Sequence, residues 1–457
     1  MKAIGLRSGL LSIAWILLIW LVFIPPVLGA EVNNLQAAID EYMNATVKTG
    51  RFNGSILVAQ KGEVMVKKGY GTANFEWQIP NSSETIFRLG SVTKQFCAAC
   101  IMQLEEKGLL SLNDQLQKYI PDYPQGNIIT IHHLLTHTSG IPNFTNFPDY
   151  ISTMMIPSPP EKTIDRFKNL PLEFQPGEKF AYSNSNYVLL GFILEKVSGQ
   201  SFENYLQENI LKPLHMEHTG YDHPEKILPN RASGYDASSE GLINTPYIDT
   251  SIPHAAGAMY STVEDMYLWD QGLYGDTILS KASRDKMFTP FLSNYGYGWI
   301  ITKAFGRKVI AHDGSINGFA THISRFVDDQ VTVIVLSNFS HAQSSLIAKD
   351  LSAIAFGEPY DIPVEKSYIE LEAEILDKYT GKYEIQPGLF AEITRKDQFL
   401  FIQVQGQPII QLLPQTETQF FIQEVDATLT FITNEKGEFT EAVLHQSGKD
   451  IPLSRVK

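Results

Sequence analysis

Apolar residues recur at two different periods along this chain, and the period changes with position. Leu35, Ile39, Met43 and Val47 are spaced by four, which predicts an amphipathic helix over Asn34–Val47. Strand-like runs follow at Ser55–Gln60 and Glu63–Lys68 around a Lys61-Gly62 turn. Residues 92–104 return to helical spacing with good helix formers. Residues 100–290 read mostly as helix and loop, including apolar helices at Tyr187–Val197 and Val263–Gln271. The second is announced by Ser261-x-x-Glu264, a capping-box spacing. Strands are predicted again at Gly298–Thr302, Lys308–Ala311, Phe319–Val327 and Val331–Leu336, closed by a helix at Ser344–Phe356. The pattern implies an α+β unit: one antiparallel sheet assembled from both ends of the segment, flanked by helices, with a helical insertion.

Beyond Gly357 the character changes. Glu358–Ser367 is polar and carries Pro359 and Pro363, the signature of a linker. After a short helix around Ile369–Tyr379, eight short strand-like runs are separated by turn residues, which predicts a small all-β barrel or sandwich. Phe399-Leu400-Phe401-Ile402 and Phe420-Phe421-Ile422 are apolar on both faces, so each predicts cover on both sides: the barrel core on one, the preceding domain or another subunit on the other. The expected division is therefore 1–30, 31–357, 358–368 and 369–457.

The first thirty residues read as an export signal. Lys2 and Arg7 precede the apolar run Ile13–Ile24, Pro25-Pro26 ends it, and Val27-Leu28-Gly29-Ala30 offers small residues for cleavage. Counted outward from Leu10 to Leu28 the same stretch is a candidate anchor, so an extracytoplasmic place, secreted or envelope-associated, is expected either way. At 457 residues and 44% hydrophobic content the chain supports more than one domain, and a net charge of −14 without a basic block argues against nucleic-acid binding. Cys97 and Cys100 are the whole cysteine complement. Their i,i+3 spacing on one helix suits buried free thiols better than a disulfide.

The candidate chemistry lies in three short motifs, in order: Ser91-Val-Thr-Lys94, Tyr182-Ser-Asn184 and His312-Asp-Gly314. Ser91 follows an extended approach that ends in Gly90 and opens a helix, with Lys94 one turn on along the same face. A serine hydroxyl needs an adjacent base, and a lysine serves only if its pKa is lowered. Taken alone, Ser91 reads equally well as an N-cap. Tyr182 and Asn184 sit two apart in a loop, suiting a proton carrier and an amide-binding group. His312 and Gly314 end a strand whose edge can pair with a peptide-like substrate, and the amide after them can serve an oxyanion hole.

With these residues in view the chain resembles the penicillin-recognising serine hydrolases: class C β-lactamases, D-alanyl-D-alanine carboxypeptidases, D-aminopeptidases and related esterases. The S-x-x-K, Y-x-N and K/H-x-G motifs of that superfamily match Ser91/Lys94, Tyr182/Asn184 and His312/Gly314. The stretches Ile131–Pro142 and Ala256–Met266 resemble it as well, and the likeness spans roughly residues 35–357. It implies a β-lactamase/transpeptidase-like fold and acyl transfer to water through Ser91, with Lys94 and Tyr182 moving the proton. Asn184, His312, Gly314 and Ser315 would line the substrate, the Ser315 amide sharing the oxyanion hole. No cofactor and no metal are required. The barrel resembles the lipocalin-like modules of some relatives. Histidine at 312, where the β-lactamases of this type carry lysine, points toward peptidases acting on D-amino-acid-containing peptides and away from efficient β-lactam hydrolysis. A broad-scope esterase or β-lactamase, and a penicillin-binding sensor that acylates without turnover, stay open. The expected partners are a small peptide, amide or ester (cell-wall peptide falls in this class) and further copies of the chain through the C-terminal module. A zinc site at His215, His218, Asp222 and His223 is set aside because no base-bearing helical pattern accompanies it.

Overall fold

The computed structural model describes residues 27–456 apart from 239–240, 366, 406–408, 423–426, 435–436 and 447–448. The expected leader lies, up to residue 26, outside the described residues, as do some of the turns expected among the C-terminal strands. No helix among the described residues is long and apolar enough to cross a membrane.

The chain opens with helix α1 (Val27–Lys48), then strands β1 (Gly54–Gln60) and β2 (Glu63–Tyr70). Lys61 and Gly62 both take positive φ, the backbone a tight two-residue hairpin demands. Helices α2 (Thr93–Glu106), α3 (Asn184–Ser198) and α4 (Val263–Gly272) belong to the helical insertion. The chain then returns to the sheet through β3 (Ile300–Ala304), β4 (Arg307–Ile316), β5 (Phe319–Phe326) and β6 (Val331–Ser337), and α5 (Ser344–Phe356) packs back over it. The sheet order is β3-β4-β5-β6-β1-β2, every neighbouring pair antiparallel. The first and last segments of the unit therefore meet at the β1–β6 ladder, as the two-ended strand pattern implies. β5 and β6 are buried along their whole length, because helices cover both faces.

Two cores flank the sheet. One, under α1 and α5, gathers Ile56, Val58, Val333 and Leu351. The larger one, on the insertion side, gathers α2, α3 and α4 around Phe96, Leu190 and Trp269. A buried ion pair joins α4 to β5: Arg325 Nε donates to Asp270 Oδ1, and Thr332 Oγ1 donates to Asp270 Oδ2 at 2.7 Å. The capping-box expectation was one residue early. Thr262 caps α4, accepting from the Asp265 amide at 3.2 Å, while Ser261 belongs to a short strand and its hydroxyl meets Thr219.

The eight C-terminal strands, β7 (Gly381–Gln386), β8 (Leu389–Lys396), β9 (Phe399–Val404), β10 (Ile409–Pro414), β11 (Gln419–Ile422), β12 (Ala427–Thr433), β13 (Phe439–Gln446) and β14 (Lys449–Arg455), pair in sequence order and close through β7–β14. The interior is filled. Tyr379 lies 4.3 Å from the Phe431 ring and 4.5 Å from that of Phe439, among Leu400, Leu412, Phe420 and Leu453. An eight-stranded barrel has room for its own side chains or one small ligand, and here side chains occupy it. Of the doubly apolar strands, Leu400, Ile402, Phe420 and Ile422 join this core, whereas Phe401 and Phe421 are buried outside it. Part of the outer face meets the segment that precedes the barrel: Tyr368 packs edge-on against Phe399, and the Ile369 amide donates to Pro414 O at 2.9 Å. Earlier in that segment Tyr360 packs edge-on against Tyr42 of α1.

Candidate active site

Ser91 stands in a single 3-10 turn, Gly90–Val92, that runs straight into α2. Its hydroxyl caps nothing. Instead it lies 2.9 Å from Lys94 Nζ, which also reaches Asn184 Oδ1 and Ala256 O, each at 2.8 Å. Lys94 is 0% exposed. Burial drives its pKa well below the usual lysine value; the opposing influence is the thiol of Cys97, whose own pKa burial pushes up, so it brings no thiolate. Both cysteines are free and buried.

The turn is held by close backbone contacts. A Cβ at Gly314 would sit 2.0 Å from Leu89 O and 2.2 Å from Thr321 Oγ1, and Thr321 Oγ1 in fact donates to Leu89 O at 2.7 Å. Gly90 takes φ +54°, and a Cβ there would stand 2.8 Å from the backbone of Ser315. The strand edge at 314–315 thus lies directly on the approach to Ser91, and only glycine fits at either contact. Pairing between β3 and β4 ends at Ile300–Ala311, so β4 runs on past its outer neighbour through residues 312–316.

Tyr182 precedes α3. Its ring centroid is 4.9 Å from Lys94 Nζ, and burial raises its pKa above the ordinary phenol range against the lowering effect of a hydrogen bond with Ser91. Asn184, the first residue of α3, spends its side chain on Lys94 and on Thr145 Oγ1, 3.2 Å from Nδ2. It therefore holds the lysine as well as lining the cleft expected to take the substrate.

His312 differs from expectation. It does not line the cleft. Its ring is buried behind Tyr182, with Nδ1 donating to Asp313 O at 2.5 Å, so that Nε2 accepts from the Tyr295 hydroxyl at 2.9 Å. Burial is the main cause that pushes its pKa down to about 4. Neighbouring aromatic rings complete this backing. His137 packs at a tilt against Tyr182, ring centroids 4.3 Å apart, and lies 4.8 Å from Tyr295, and its Nδ1 accepts from the Ser183 amide at 3.2 Å. Sequence reasoning did not single out Tyr295, His137, Thr145 or Ala256. His137 and Ala256 lie in the two stretches noted for their resemblance; Tyr295 and Thr145 carried no local signal.

The resulting cleft has a volume of about 440 Å³, with Ser91, Asn184 and Ser315 in its lining. Phe144, Tyr150, Met154 and Ile248 are among its walls. Asp222 is not free for a metal: it receives Arg88 and Arg231.

The profile of the family described as Beta-lactamase matches residues 35–355. The chain belongs to that family. It is accordingly a serine hydrolase of beta-lactamase-type fold. Residues 365–455 match a family described as a domain of unknown function (DUF3471). Penicillin-binding protein 4* of Bacillus subtilis (strain 168) is 32% identical, covering 86% of this chain and 95% of its own. The octameric penicillin-binding protein homologue from Pyrococcus abyssi superposes with a TM-score of 0.66 at 29% identity, over 93% of this chain and 100% of that one. The D-amino acid amidase from Ochrobactrum anthropi SV3 shares the fold, with a TM-score of 0.65 at 23% identity over 71% of this chain and 99% of that one.

Proposed function

We propose that the protein cleaves amide or ester bonds through an acyl-enzyme on Ser91, acting on D-amino-acid-containing peptides or amides outside the cytoplasm. The observation that carries this is the contact of 2.9 Å between Ser91 Oγ and the buried Lys94 Nζ. A neutral amine there accepts the Ser91 proton as Oγ attacks the carbonyl. The proton then passes, with Tyr182 as neutral relay, to the leaving amine or alkoxide. Water repeats the sequence in reverse to release the acid. The Ser91 and Ser315 amides are the oxyanion donors. Gly314 lets the strand edge approach, and His312 holds Tyr295 behind Tyr182. The resemblance of the whole chain to penicillin-binding proteins supports the peptide-like substrate, and His312 in place of lysine supports peptide or ester over β-lactam. Further proposals are a catalytic unit over 31–357, a linker at 358–368, a barrel module over 369–457, and self-association through that module; an octameric relative supports the last.

A panel of D-aminoacyl amides, D-Ala-D-Ala peptides, short esters and cephalosporins, read beside intact-mass acylation, tests the reading. Stoichiometric acylation without turnover would instead make it a sensor. Export rests on the pattern of residues 2–30. Protein recovered outside the cytoplasm should begin near Ala30 or Glu31, and a retained Met1 in detergent-extracted material would make the segment an anchor.

A further inference from the structure

The two peptide N–H groups on either side of Tyr182 end on one residue. The Ala181 amide donates to His137 O at 2.9 Å, and the Ser183 amide donates to His137 Nδ1 at 3.2 Å. The buried Ser183 hydroxyl adds no anchor, since it has no hydrogen-bond partner among the described residues. Between the two bonds the phenol ring lies against the imidazole, with centroids 4.3 Å apart and planes inclined by 36°. The rings of Tyr295 and His312 stand farther from Tyr182, at 6.4 Å each. His137 therefore sets the backbone and the ring of Tyr182 together.

The residue is kept in place at some cost. It is fully buried and takes φ +55°, the left-handed region in which a non-glycine residue holds strain, and such strain collects at functional sites. Burial drives its pKa well below the usual histidine value, which favours the neutral ring. Because Nδ1 accepts from the Ser183 amide, the proton of that ring sits on Nε2. Nε2 is buried with no hydrogen-bond partner among the described residues, an arrangement that lowers stability and that packing alone does not call for.

We propose that His137 is a positioning residue for Tyr182, fixing the phenol within hydrogen-bond reach of Ser91 so that it can hand a proton to the leaving group. His137 transfers no proton itself. The proposal rests on the Ser91 acyl-enzyme reading with Tyr182 as relay. Its consequence is selective: loss of His137 should fall on leaving groups that need a proton and spare those that do not.

The test uses the full chain and the p-nitrophenyl and ethyl esters of D-alanine. Both give the same acyl-enzyme, and kcat/KM reports its formation. p-Nitrophenoxide departs as the anion, whereas the ethoxy group takes up a proton as it leaves. His137→Leu should lower kcat/KM for the ethyl ester about tenfold or more beyond any loss on the p-nitrophenyl ester. His137→Asn should stay within about threefold of the native ratio, because asparagine tolerates positive φ and its amide oxygen can accept from Ser183. In a Tyr182→Phe background His137→Leu should change the ratio by less than about twofold, since the hydroxyl it would place is gone. The native protein gives a readout that does not depend on how a variant folds. NMR of nitrogen-labelled histidines, with His137 assigned by its loss in His137→Asn, should show the ring protonated on Nε2 alone across neutral pH. Equal losses on both esters would mark a purely structural role and overturn the proposal. So would a full effect of His137→Leu in the Tyr182→Phe background, or a His137 ring protonated on Nδ1. The two readings separate. If Tyr182→Phe alone leaves the ester ratio native, the relay reading falls and this proposal with it; a ratio that responds to Tyr182→Phe but not to His137→Leu removes this proposal alone.

Discussion

Burial acts in opposite directions on the two groups that flank Ser91. It lowers Lys94 and raises Tyr182, so each is shifted toward its uncharged form, and an uncharged amine is a base whereas an uncharged phenol is not. In the proposed mechanism Lys94 is therefore the base and Tyr182 the relay. The sign of the pH dependence follows: a base works deprotonated, so activity should rise as pH climbs through a group well below the ordinary lysine value of about 10.4. Lys94→Ala should remove that limb together with most of the turnover, and Tyr182→Phe should slow acylation by roughly 10²-fold while keeping the limb. A native profile that stays flat from acid to mildly alkaline pH would contradict the assignment. The spacing of Ser91 and Lys94 was legible in the sequence because one helical turn fixes it. The other contacts of Lys94 were not: Asn184 and Ala256 reach it from distant elements. Nor was the orientation of His312, since a strand pattern states which face a residue takes only once the neighbouring strand and its aromatic cover are known.

Among the elements, the contact of β4 with the turn before Ser91 carries the most consequence. The K/H-x-G glycine is explained by sterics, since any side chain at 314 would meet the Leu89 carbonyl and the Thr321 hydroxyl. Gly314→Ala should force β4 away from residues 89–91, costing about 1–3 kcal/mol of stability and lowering kcat more than it changes KM. Thermal melting and steady-state kinetics on one variant check both parts, and native kcat with a native melting temperature would show that the contact is not needed. Sheet strands and long helices were readable from periodicity, with ends displaced by a few residues. β4 extends to Ile316, beyond the expected Ala311, because its pairing with β5 continues after β3 has stopped. Residues 100–290 gave little detail, since short helices there are fixed by tertiary packing and not by propensity.

At the scale of the molecule, three separate cores divide the chain: two around the catalytic sheet and one inside the barrel. The described lining of the cleft comes entirely from residues 91–340, so the barrel supplies none of it. Truncation after Gly357 should accordingly leave acylation at Ser91 intact while uncovering Tyr42 and the surface under the linker, with aggregation or a smaller assembly as the visible result. A well-folded truncated protein that cannot be acylated would show that the module completes the site. The change from helical to short-strand period near residue 369 made the barrel visible in the sequence. Its apolar outer face was visible too, but the contacts of Tyr368 with Phe399 and of Ile369 with Pro414 needed coordinates. The central claim, a covalent intermediate on Ser91, is tested most directly by intact-mass spectrometry after rapid mixing with an activated D-alanyl ester, followed by peptide mapping. The account predicts one acyl adduct, located on Ser91, absent from Ser91→Ala, with turnover in that variant lower by about 10³-fold or more. An adduct on another residue, or Ser91→Ala turning over near the native rate, would contradict it.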